Sequence, residues 1–345
     1  MLKLGLIGAG AVVQGAHVKA LKGRDDVEIV GIADPCEAYS SAVGERLNCS
    51  RLYEDYRCLL AESGAQAVDI CLPHFMHEEA VLAAFDAGVD VILEKPISMT
   101  LDQADRMIAA AKEKGRQFYV ALNQRFYPAH RKLKAIIDSG EYGRPFLFLA
   151  QLVGDELARM NLRDNWKGSW DRAGGGALID TGTHIIDLVL WWFGKPKTIS
   201  CQWGRYRVEP DNKGDDNVAV IFGYDGMMAN ITVSYSCTTD PWREWKQTYF
   251  RDASVHVTME DGTPIYLGTD RAALAPIPVD ALPNFSDGSA PNWWDGTVAA
   301  GLNHFLDCLM GKAEPEYGPE AARDTLETIL LAYRAAEEKR TIVVA

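Results

Sequence analysis

The sequence lacks paired cysteines, a long apolar run and any surplus of positive charge, and each absence removes a class of function. Its seven cysteines, at 36, 49, 58, 71, 201, 237 and 308, are scattered, odd in number and without a CxxC pair. That is neither a disulfide framework nor a zinc pattern, so structural thiols, no metal and a reducing compartment are expected. No apolar stretch reaches the roughly 20 residues that a membrane-spanning helix needs. A strand begins by Leu2, with no room before it for the charged and apolar regions of a cleaved leader. A cytoplasmic protein with no membrane partner is expected. With 35 Lys and Arg against 48 Asp and Glu, the formal net charge is -13. Nucleic acids and anionic membranes are gripped by clustered positive charge. The densest basic cluster, Arg131-Lys132-Leu133-Lys134, reads as a solvated helix face. The expected partner is a small molecule, with no nucleic acid.

What is present suits two globular domains: 345 residues, 48% hydrophobic and 24% charged. Residues Leu2–Ile7 are apolar apart from Lys3 and Gly5, as in a strand covered on both faces. Gly8-Ala9-Gly10 then turns into a helix starting at Ala11 or Val12. Gly8 permits the turn, and Gly10 lets a pyrophosphate approach the backbone N–H groups at the helix start. Val13 stands where a third glycine is usual. A second apolar strand, Val27–Ala33, ends at Asp34, a carboxylate suited to the adenosine ribose hydroxyls and repellent to a 2′-phosphate. This favours NAD over NADP, the bland alternative being a turn or helix cap at Asp34-Pro35.

Strand and helix patterns keep alternating: Ala67–Leu72, His77–Ala87, Val89–Leu93, Leu101–Lys114 and Gln117–Leu122. Such alternation specifies a doubly wound parallel sheet, a Rossmann-type α/β domain over residues 1–122, with ligands at the carboxyl ends of its strands. Three strand ends become candidate sites together: Pro73-His74, Glu94-Lys95-Pro96 and Asn123-Gln124-Arg125. A carboxylate and a lysine just beyond a buried strand look chemical, and Lys95-Pro96 admits a cis bond.

Residues 123–345 change character. Phe126–Ile137 reads as a helix, and Phe146–Val153, Thr198–Val208, Asn217–Tyr224, Met227–Tyr235 and Lys246–Arg251 as strands, with Asp225-Gly226 a hairpin turn. An α+β domain with a mostly antiparallel, open-faced sheet is expected, and burying that face predicts a homodimer or homotetramer. Residues 261–292 read as loop. Trp166, Lys167 and their neighbours offer aromatic and polar groups to a hydroxylated ring, or simply pack. Beyond GGG, a helix over Ala177–Trp192 puts Asp180, His184 and Asp187 on one side, an imidazole with carboxylates to orient it. Arg125, Arg159, Arg163 and Arg172 are cations able to meet a substrate carboxylate or phosphate.

Together, Gly8-Ala9-Gly10 with His17, Asp34, Pro73 to His77, Glu94-Lys95-Pro96, Asn123 to Phe126, Trp166-Lys167 and GGGALIDTGTH resemble the Gfo/Idh/MocA family of nicotinamide-dependent sugar and polyol oxidoreductases. The resemblance spans both domains. It departs at Val13, and at Lys167 where arginine is common. It implies a catalytic group of Lys95, Asp180 and His184. It implies NAD contacts from Gly8, Gly10, Ala11, Val12, Asp34, Pro73, His74, His77, Glu94, Lys95, Pro96 and Asn123. Substrate contacts are expected from Lys95, Arg125, Trp166, Lys167, Asp180 and His184. Alternatives are an NAD-assisted glycosidase working by transient oxidation, a non-catalytic NAD and sugar sensor, or reduction of a non-sugar carbonyl.

Overall fold

The computed structural model describes residues 1–162, 165–209, 211–239, 242–259, 264–269, 273–285 and 288–344. They form two compact units, one of Met1–Phe126 with Leu282–Asp324, the other of Tyr127–Ala281 with Thr325–Ala345.

The first unit holds a six-stranded sheet of β1 (Leu2–Ile7), β2 (Val27–Ala33), β3 (Leu52–Tyr53), β4 (Ala67–Ile70), β5 (Asp90–Leu93) and β6 (Phe118–Val120), in the order β3-β2-β1-β4-β5-β6. All its pairings are parallel. The strands are largely apolar because both faces are covered; β4 is buried at every position, its one polar residue being Asp69. The order reverses between β1 and β4, where a doubly wound sheet opens its ligand crevice. The helix Leu101–Lys114 starts at a capping box of Thr100 and Gln103 and stops at left-handed Gly115.

A single cut at residue 123 does not describe this unit. The helix Trp293–Leu309 returns to it, because Ala299, Leu302, Phe305 and Leu306 share a core with Leu2, Leu4, Val13 and Val18. Phe305 stacks on Tyr119 at 4.8 Å. These contacts join chain segments far apart in sequence, so no local pattern announces them.

The second unit holds a nine-stranded sheet of β7 (Pro145–Val153), β8 (Thr198–Gly204), β9 (Asn217–Tyr224), β10 (Met227–Ser234), β11 (Arg243–Phe250), β12 (Ala253–Thr258), β13 (Ile265–Thr269), β14 (Ala275–Pro276) and β15 (Ile342–Val343). Its order is β14-β13-β12-β11-β7-β10-β9-β8-β15, antiparallel except where β7 pairs with β10. Gly226, at φ 77°, makes the expected turn between β9 and β10. Reading 261–292 as loop misses β13 and β14: Ile265-Tyr-Leu-Gly-Thr adds to β12, itself a strand too short and too close behind β11 to stand out. One sheet face is covered, in part by the helix Thr183–Phe193, whose Trp192 meets Phe148 edge-on at 5.7 Å. The rows on the other face are Gly223, Met228, Leu147 and Tyr249, then Ile221, Asn230, Leu149 and Gln247.

Candidate active site

In the first unit, β1 is followed by Gly8, where φ is 95° and an added Cβ would lie 2.3 Å from the Cys71 carbonyl oxygen. Only glycine meets both conditions. Gly10 is different: no atom lies within 4 Å of the position a Cβ would take, so open space stands before the start of the helix at Ala11. That space, at the start of a helix, fits a pyrophosphate. Asp34 closes the turn, one oxygen accepting from Ala9 N–H and the other from Cys36 N–H, each at 2.8 Å. Each oxygen keeps a second lone pair for a ribose hydroxyl.

Glu94 and Lys95 follow β5 directly, and Lys95-Pro96 is cis. Glu94 Oε1 faces His17 Nε2 at 3.2 Å and Glu94 Oε2 accepts from Lys95 N–H at 3.2 Å. Burial works against ionisation of Glu94, but the hydrogen bond from His17 and the Lys95 charge hold its carboxyl below the usual range. Glu94 therefore remains an acceptor at neutral pH.

Several expected cofactor residues also make contacts within the first unit. His77 is wholly buried and its ring nitrogens lie 2.9 Å from the carbonyls of Pro96 and Leu72. Burial lowers its pKa. Its ring joins the Leu72 carbonyl at the end of one loop to the Pro96 carbonyl of the next. His74 is buried against His77, and buried Asn123 donates to Thr297 at 2.9 Å. The guanidinium of Arg125 lies over the Tyr317 ring at 4.5 Å.

In the second unit, the expected regular helix over 177–192 begins as a π-helical turn, Leu178–Gly182, before the α-helix Thr183–Phe193. Asp180 sits on the π turn and His184 on the first α turn, both buried, so their spacing is not a plain α-helical i, i+4. Asp180 Oδ2 is met by Lys167 Nζ at 2.5 Å and by the Tyr235 hydroxyl at 2.7 Å. Thr181 Oγ1 closes on the same hydroxyl. Burial and the Asp180 charge raise the Tyr235 pKa well above 10, so the phenol stays a donor. Lys167 lies 5.5 Å from the Trp166 ring centre. Asp187 is buried and accepts from Thr325 at 3.4 Å. Arg159 is exposed beside Glu156, and Arg163 lies outside the described residues.

Tyr235 and Asp215 escaped the sequence reading. Tyr235 reads as the last residue of a strand. Asp215 is buried and cradles the GGG entry: its carboxylate accepts from Gly176 N–H at 2.7 Å, Leu178 N–H at 3.0 Å and the Tyr333 hydroxyl at 2.6 Å. Replacing Tyr235 by Phe removes one charged hydrogen bond from buried Asp180, and kcat is expected to fall roughly tenfold or more, with a Tm lower by a few degrees. An unchanged kcat would take Tyr235 out of the site.

A family model described as an oxidoreductase family with an NAD-binding Rossmann fold matches residues 2–122, and a Gfo/Idh/MocA C-terminal domain model matches residues 130–265. The D-apiose dehydrogenase of Paraburkholderia graminis is 27% identical over 355 residues, 98% of this chain and 88% of that protein. The myo-inositol 2-dehydrogenase of Thermotoga maritima is 29% identical over 64% of each chain. A levoglucosan dehydrogenase solved with NADH superposes with a TM-score of 0.87 at 20% identity, over 100% of this chain and 99% of that one, a likeness of fold. Among the described residues no helix is long and apolar enough to cross a membrane. The chain belongs to the Gfo/Idh/MocA family of oxidoreductases and binds NAD through its Rossmann fold.

Proposed function

We propose that the chain is a dehydrogenase oxidising a secondary hydroxyl of a sugar, polyol or sugar derivative, with NAD preferred over NADP. The observation that carries this reading is the Asp180 carboxylate, held by Lys167 and Tyr235 on a π turn that leads into His184. Relatives named for D-apiose and myo-inositol support a polyhydroxylated substrate. When bound, the nicotinamide supplies the hydride acceptor. His184 takes the hydroxyl proton, an imidazole being the side chain best matched to neutral pH. Lys95 donates to the same oxygen and stabilises its developing negative charge. Asp180 holds substrate and imidazole in register, and Glu94 accepts from a cofactor ribose hydroxyl.

The test is reduced-nicotinamide absorbance with NAD or NADP across polyols, aldoses, uronates and glycosides. Turnover with NAD and a hydroxylated substrate is expected. Silence throughout, with cleavage of a chromogenic glycoside, would contradict it.

The open face of the second sheet supports assembly into a homodimer or homotetramer. Ile221 and Met228 are 42% and 44% exposed there, beside Leu147, Leu149 and Tyr249. Light scattering at micromolar concentration should give a multiple of the 38.1 kDa chain, and Met228→Glu should lower it. A monomeric wild type would refute the assignment.

A further inference from the structure

The first unit contains a buried polar cluster that the proposed chemistry leaves unused. His17 and Asp69 are almost wholly buried, and Cys71 lies beside them. His17 Nδ1 is 2.6 Å from Asp69 Oδ2, and its other ring nitrogen is 3.2 Å from Glu94 Oε1. The Cys71 thiol lies 3.5 Å from the second Asp69 oxygen. These residues are 52 and 77 positions apart in the chain and converge only because β4 and β5 are neighbours beside the glycine turn.

We propose that His17 is a positioning residue for the cofactor site: anchored by Asp69, it holds Glu94 in the rotamer that presents the carboxylate to the ribose. The inference rests on the reading of Glu94 as a ribose contact. Three observations favour it. Both ring nitrogens meet carboxylate oxygens, and since an ionised carboxylate only accepts, both nitrogens must donate, which requires the imidazolium. Asp69 supplies the buried countercharge that makes a cation tolerable there. His17 also closes a π-helical turn, Val13–His17, a rare conformation that re-aims one side chain within a helix and often marks functional sites.

The groups facing the ring are consistent with a lasting charge. Burial alone would lower the His17 pKa, but the Asp69 carboxylate, foremost among the groups that raise it, keeps it well above 6.5. From β5, Glu94 adds a negative charge and Lys95 a positive one beyond it. On the Trp293–Leu309 helix packed against the same turn, Asp295 is paired with Lys19 at 2.6 Å. The Cys71 thiol, pushed up by burial, stays protonated. The sign follows: the relay is complete below pH 6.5 and is lost only as pH rises through the raised value.

The experiment is calorimetric titration of NAD into the purified chain and into His17→Gln, Glu94→Gln and the double variant, with Tm for each. Loss of a buried charged hydrogen bond predicts that each single variant weakens NAD binding about tenfold, and that the double variant is no weaker than Glu94→Gln. Wild-type affinity should fall toward that of His17→Gln only at alkaline pH. Additive losses would make His17 a merely structural residue and overturn the inference while leaving the Glu94 reading intact. An unchanged affinity in Glu94→Gln would overturn the Glu94 reading itself and the inference with it. Should His17→Gln fail to fold, nitrogen-15 NMR of the wild-type histidines decides: two protonated ring nitrogens on His17 at pH 7.5 support the relay, and a neutral ring refutes it.

Discussion

Lys95→Ala and His184→Ala are each expected to lower kcat by about two to four orders of magnitude while NAD affinity changes no more than a few-fold. In the proposed reaction Lys95 is the cationic donor to the oxygen that becomes negative during hydride loss, and the alanine variant removes it. No water molecule replaces it at equal cost, because solvent must reorganise as charge develops whereas a held lysine need not. Removing His184 leaves the hydroxyl proton without a nearby base, and the surrounding carboxylate, Asp180, already accepts from Lys167 and Tyr235. Steady-state rates with saturating NAD, beside calorimetric NAD titration, separate loss of chemistry from loss of binding. Turnover near wild type in both variants would remove them from the reaction.

Gly176→Ala is expected to damage both stability and rate. At this position a Cβ would stand 2.0 Å from the Asp215 carbonyl oxygen and 2.4 Å from its backbone nitrogen. Because the neighbours are backbone atoms, no side-chain rotation relieves the overlap. The two segments must separate, breaking the bonds from Gly176 and Leu178 to the Asp215 carboxylate and from Ala177 N–H to the Asp215 carbonyl. Overpacking with partial loss of a buried hydrogen-bond network predicts roughly 3 kcal/mol of destabilisation, a Tm lower by about 6–12 °C. The same shift moves the π turn that carries Asp180, and a displacement near 1 Å costs about a hundredfold in kcat. Thermal unfolding and kcat measured together check this. A wild-type Tm with wild-type kcat would show that the Asp215 cradle does not position the site.

Much of the site is legible because its signals are local. The strand, glycine turn and helix over Leu2–Val13 read as a phosphate loop, and the structure puts Gly8 where a Cβ would meet the backbone of Cys71. Asp34 and the residues after β5 fall at the carboxyl ends of parallel strands, where folds of this kind open their ligand crevice. What escapes depends on contacts between distant residues. The partners of His17 lie on other strands, and Tyr235 reaches Asp180 across 55 positions. The resemblance puts His77 among the cofactor residues, and only the fold reveals that its ring nitrogens meet the carbonyls of Leu72 and Pro96. The π turns at Val13–His17 and Leu178–Gly182 carry no periodicity of their own, so both sites are built on turns that an α-helical reading smooths over. The return of residues 282–324 to the first unit is invisible for the same reason.

The most direct test of the account is isotopic. With a substrate identified in the absorbance panel and deuterated at its hydroxyl-bearing carbons, the reduced nicotinamide formed by the enzyme is analysed by mass spectrometry. The account predicts one deuterium in each reduced nicotinamide, stoichiometric with the oxidised product. Turnover with no net reduction of NAD, and solvent hydrogen exchanged into the product, would contradict a dehydrogenase.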